Sequence, residues 1–230
     1  MIVQDGTQLA PVLAHGEDVR ARFMQRVYLR LLAGVAGFVA VEAWLFSSGL
    51  ALAITEVVLS TSWLLILGGF MVVSWLANSV GLRAEGAPAQ WGAYALLVVA
   101  NAVIFAPLLV IAEATVPGVV VTAAQVSVVG FVGLSVVAIR SSRDWTFLGA
   151  ALRWVGVLAL LTIVAAVLLG TDLGTWFSVA MIGFAGAAIL YDTQVILRSY
   201  PPDREVAAAM SLFASLALLF WYVLRLLARR

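Results

Sequence analysis

The chain has 230 residues, of which 64% are hydrophobic and 11% charged, and its mean hydropathy is +1.10. Soluble domains carry about 25% charged residues, so this is the composition of an integral membrane protein. A net charge of +1 without a basic stripe excludes a nucleic-acid partner, and the lack of cysteine excludes disulfides, thiol nucleophiles and cysteine metal sites.

The amino-terminal residues 1–24 are mixed in charge and hold the only histidine, His15, so the apolar remainder has no histidine dyad or histidine-rich metal site. They lack the apolar core and cleavage site of a signal peptide and read as a short cytoplasmic tail. Residues 25–230 read as one all-α, polytopic, seven-transmembrane-helix domain. About 20 apolar residues cross a bilayer, which places spans near 27–48, 57–80, 90–111, 117–139, 147–169, 175–197 and 206–227. Glu56 and the Ser60-Thr61-Ser62 run soften the start of the second span. All thirteen basic residues are arginine, as in a GC-rich bacterial genome, which points to a bacterial inner membrane.

Arginine placement orients the chain. Arg20, Arg22, Arg26 and Arg30 precede or open span one, Arg83 follows span two, Arg140 and Arg143 follow span four, and Arg198 and Arg204 follow span six. The alternate loops have none, so the amino terminus is expected in the cytoplasm. Arg225, Arg229 and Arg230 break this rule, because seven crossings put them outside. Two readings stay open: span seven is shielded among the others, or it re-enters. Glu42, Glu56, Glu113 and Asp172 fall near the outer ends. They form an acidic mouth that concentrates cations, or are simply the acids that the arginine bias leaves outside.

Within the spans, few polar residues carry chemistry. In span three, Pro107 removes a backbone donor and kinks the helix, and Asn101 is placed to bond across to a neighbour; the pair is packing and kink alone, or the kink opens a polar cavity. Arg153 in span five either snorkels to the interface or pairs with an acid. Asp192, in span six, lies six residues before Arg198, about 9 Å inside the apolar run at ~1.5 Å per residue. A charge at that depth costs roughly 2.5–3.5 kcal/mol and needs a partner or a wet cavity. Arg153 and Arg83 are its candidate ion-pair partners. Ser211 and Ser215 in span seven share a face and either meet Asp192 or bond back to their own helix. Asp192 is therefore a helix lock or a proton-sensing, ion-binding group.

The run Ile189-Leu190-Tyr191-Asp192-Thr193-Gln194 resembles the signature that ends the sixth span of the Bax inhibitor-1 family. Asn101 with Pro107, the Ser142-Arg143-Asp144-Trp145 turn, and the run from Met210 to Leu226 are similar to other parts of that family, so the likeness covers roughly residues 25–228. The resemblance implies a compact seven-helix fold with a central last helix and a proton-sensitive calcium leak. It also implies a proton-sharing pair of aspartates on the last two helices. Asp192 matches the first of that pair, whereas the second falls in Leu212–Leu216, where this chain has Ser215. A two-carboxylate site titrates as a coupled pair; Asp192 with Ser215 titrates as one acid and is a poor calcium ligand set.

No enzyme reading survives, since the second Gly-x-Gly-Asp motif of aspartyl intramembrane proteases is missing and serine and metal versions lack a membrane histidine. No cofactor is indicated. The expected partners are the lipid bilayer and calcium or other cations. The alternative is a non-transporting scaffold or regulator that binds other membrane proteins in stress response or protease modulation.

Overall fold

The computed structural model describes residues 16–83, 86–141, 144–201 and 203–229; His15, Arg143 and Arg230 lie outside them. The described residues form eight helices: α1 (Glu17–Ser47), α2 (Leu50–Ser60), α3 (Trp63–Arg83), α4 (Ala87–Thr115), α5 (Val119–Arg140), α6 (Leu148–Leu169), α7 (Gly174–Ser199) and α8 (Glu205–Leu227). All but α2 are long and apolar enough to cross a membrane, which bears out the seven-span reading.

Two boundaries differ from those expected. α1 begins at Glu17, and Phe23 and Met24 are buried in the main core, so the last part of the expected tail is helix. The second span does not run on from residue 57. Thr61 is extended and ends α2, and the spanning helix starts at Trp63. Gly49, at φ +77°, turns the chain from α1 into α2, a conformation that residues with a Cβ rarely adopt. Ala51 of α2 then packs with Leu45 and with Ala102 and Ala106 of α4.

α8 is the axis of the bundle. In its most apolar stretch 61% of residues are buried, against 11% in α3 and in α6. α8 packs on α7, α1, α5, α4 and α3. The run Ala207-Ala208-Ala209 is almost fully buried; such small residues let helix backbones approach in a membrane. Around its middle, Phe105 of α4 stacks on Phe220 and meets Trp221 edge-on, while Phe213 meets Phe38 of α1 and Tyr94 of α4.

Charges fix both ends of α8. Glu205, 7% exposed, takes Arg26 at 3.0 Å and Arg30 at 2.5 Å, both from α1. At the other end Asp172, in the α6–α7 connection, takes Arg225 at 3.5 Å and Arg229 at 2.5 Å. α8 therefore crosses the bundle from the Arg26 end to the Asp172 end and does not re-enter. Of the arginines that break the orientation pattern, Arg225 and Arg229 are held by an acid at the end they reach, on the most buried of the spans.

The Arg229 hydrogen bond holds the Asp172 carboxyl below the usual carboxylate range. A carboxyl depressed in the folded state adds stability above its ordinary pKa and loses it as the pH falls through the folded value. Asp172→Asn should therefore shrink the acid-side fall in melting temperature of the purified protein while leaving its neutral-pH fold intact. An acid limb identical to wild type would mean that the clamp contributes nothing to stability.

Candidate functional site

The signature run ends on four consecutive side chains that point to different neighbours. Tyr191 lies against Gly149 of α6. A Cβ built at Gly149 would sit 2.6 Å from the Tyr191 ring, so only glycine lets the ring reach this place. Thr193 is fully buried. Its hydroxyl, with those of Tyr28 on α1 and Ser135 on α5, forms a small polar group, in which none of the three reaches hydrogen-bond geometry with another protein atom. Gln194 spans two elements: its Oε1 accepts from the Trp145 backbone N–H at 2.7 Å, and its Nε2 donates to the Ala138 carbonyl at 3.2 Å. The α5–α6 connection is thereby tied to α7. Asp144 in that connection pairs with Arg198 of α7 at 2.8 Å.

Asp192 faces α8. Its Oδ2 accepts a hydrogen bond from the Ser215 hydroxyl. No arginine lies within ion-pair distance of Asp192 among the described residues, so neither candidate partner is one. Arg153 is exposed and turns its Nε to the Gly149 carbonyl at 3.2 Å, the snorkelling alternative. Arg83 is exposed in the last turn of α3. Long, flexible side chains near a helix end reach water more cheaply than they desolvate against an acid.

The two serines divide. Ser215 meets Asp192, whereas Ser211 donates to the Ala207 carbonyl of its own helix at 3.4 Å and lies 3.4 Å from the Tyr200 hydroxyl. Burial raises the pKa of Tyr200, against a smaller lowering by its Ser211 hydrogen bond, which keeps its phenol protonated. The polar seam beside Asp192 is therefore hydroxyl-rich and contains one carboxyl. Asn101 does not cross to another helix; its Nδ2 returns to the Leu97 carbonyl at 2.8 Å. It does line a cavity of about 600 Å³ between α3, α4, α6, α7 and α8, together with Asn78, Ser74, Asp172 and Arg225.

The four acids named for an outer mouth have different surroundings, and only Glu42 and Glu113 among them line one cavity. Asp172 is paired, Glu113 accepts the Gly118 backbone N–H at 2.7 Å at the start of α5, and Glu56 is exposed on α2. Glu42 is buried without a protein partner. Among the described residues no three acids, histidines or cysteines cluster as a metal site.

A family model described as inhibitor of apoptosis-promoting Bax1 matches residues 20–230. The chain belongs to the Bax inhibitor-1 family. No curated protein matches it. For a Bax inhibitor-1 family member, the position that faces Asp192 from the last helix is Ser215, the residue at which the sequence departs from the expected second aspartate. The ties of Glu205 and of Gln194 were not foreseen. Glu205 carried a readable signal, since an acid opening the last span sits at the same end as Arg26 and Arg30 by topology alone.

Gly149→Ala should destabilise the protein by about 1–3 kcal/mol through overpacking against Tyr191, whereas Gly156→Ala, whose Cβ would meet Phe184 at 3.5 Å, should be tolerated. Equal melting temperatures for the two variants would show that the Tyr191 seat is soft. Arg153→Gln should change stability by less than about 0.5 kcal/mol, as exposed substitutions do; a larger loss would restore an ion-pair role.

Proposed function

We propose that the protein is a pH-sensitive cation leak pathway of the Bax inhibitor-1 type, with Asp192 as its proton-sensing group. The observation that carries this reading is the Asp192–Ser215 hydrogen bond, a contact between the last two spanning helices made through a titratable group. Protonation changes the charge at that contact, and a gate responds when its two states bind the proton differently. With a serine in the second position the sensor is a single acid, so its response follows one protonation step. Family membership supports the reading, and so does the placement of α8 as the axis that a moving α7 would uncover. Under the arginine rule the Arg26 end is cytoplasmic.

The single carboxylate also favours a second reading. One carboxylate and a few hydroxyls make a weak site for a divalent cation, which takes 6–8 oxygen ligands. A non-transporting membrane scaffold or regulator accounts for the fold equally well, with the exposed apolar faces of α3 and α6 turned to membrane partners. Neither reading calls for an enzyme activity or a cofactor.

Calcium and potassium flux from liposomes holding the purified protein separates them. The channel reading expects a cation leak that changes between acid and neutral pH with a one-proton dependence. Asp192→Asn should abolish that pH dependence, and Ser215→Asp should add a second titrating step. Flux that keeps its pH dependence in Asp192→Asn would remove the sensor role, and no flux of either ion would favour the scaffold.

A further inference from the structure

Glu42 takes part in none of the contacts assigned above. It is 6% exposed, and neither carboxyl oxygen has a protein hydrogen-bond partner. It lines a cavity of about 440 Å³ between α1, α4, α5 and α8, within the ~300–1,000 Å³ range of small-molecule pockets. Ser127 of α5, 1% exposed, lines the same cavity, and its hydroxyl is also without a protein partner. Phe38, Phe105 and Phe213 supply aromatic wall, and Glu113 adds a second acid.

A buried carboxyl with both oxygens unpaired, lining the same cavity as an unpaired hydroxyl, is costly unless something outside the chain supplies donors. The lining selects what that is. It contains two carboxylates and no basic residue, so a phosphate-bearing headgroup is repelled. Small hard cations require more oxygens than the three polar side chains provide. A neutral apolar molecule would leave the Glu42 oxygens unsatisfied. A protonated amine on an apolar body meets every requirement, through charge and N–H donors for Glu42, an acceptor in Ser127, and aromatic faces that attract cations.

We propose that this cavity binds an amphipathic organic ammonium, with Glu42 as counter-ion, Ser127 as hydrogen-bond acceptor and the phenylalanine rings around its apolar body. The site is separate from the Asp192–Ser215 contact and does not depend on ion conduction.

The test is calorimetric titration of the full-length protein in neutral maltoside micelles with phenylbutylammonium and with its uncharged analogue phenylbutanol. Saturable binding of the amine, at least about tenfold tighter than the alcohol, is expected. Glu42→Gln should lose that preference while melting at or above the wild-type temperature, because an amide replaces an unpaired acid. Ser127→Ala should weaken the amine a few-fold and leave the alcohol unchanged, giving an independent readout if Glu42→Gln fails to fold. Equal affinities for amine and alcohol, undiminished amine binding in Glu42→Gln, or no saturable binding to the folded wild type would each overturn the proposal. Displacement of the amine by phosphatidylethanolamine would overturn the assignment to a free amine in favour of a lipid headgroup.

Discussion

The fold depends on one helix that must be buried in a membrane protein and yet carries charges at both ends. In hydrocarbon there is no water to satisfy a stray polar group, so each needs an internal partner or a route to the interface. α8 meets this constraint by apolar packing along its length and by ion pairs at its termini. Glu205 opens the helix with a negative charge where the peptide dipole is positive, and it draws in Arg26 and Arg30 of α1. Arg225 closes the helix with the opposite sign and meets Asp172. With both ends fixed, the register of α8 against α1, α4, α5 and α7 is set, and Ser215 is placed opposite Asp192.

That register gives the Asp192 contact its meaning. The adjoining residues Tyr191, Thr193 and Gln194 each face a different element: α6, the hydroxyl pair of α1 and α5, and the α5–α6 connection. One turn of α7 is thus the point where α1, α5, α6, α8 and the α5–α6 connection are held together, and it carries a carboxyl. Under the proposed sensor role, a change of protonation there would act on packing as well as on charge, since packed interfaces exchange between discrete arrangements. The two proposed readings share this contact and differ in what lies beyond α7.

Much of the fold was legible in the sequence because hydrocarbon tolerates so little. Long apolar runs became spans, Tyr191-Asp192-Thr193-Gln194 stood out as polar residues inside one of them, and the family spacing put Ser215 where a second aspartate was expected, with a contact to Asp192 as one of its two readings. What was not legible came from side-chain choice. Arg153 was within reach of Asp192 by depth, but its length lets it turn outward to Gly149. Asn101 satisfied itself on the preceding turn, a local bond that spacing cannot distinguish from a crossing one. The break before Trp63 was visible only as softness in an apolar run, since Ser60-Thr61-Ser62 fits a helix or a turn equally well. Glu42 was read with the outer acids, although Leu31, Val35, Phe38 and Leu45 step towards and past it by three or four residues and already marked its face as the buried one.

The central claim is that Asp192, tied to Ser215, is a single titrating acid between the last two helices. Infrared difference spectra of the protonated-carboxyl region test it directly, taken on membrane-embedded wild type minus Asp192→Asn across the pH range in which both stay folded. The account predicts one carboxyl band that grows as a single one-proton titration and shifts in frequency in Ser215→Ala. No difference band, a two-step titration, or a band indifferent to Ser215 would contradict it.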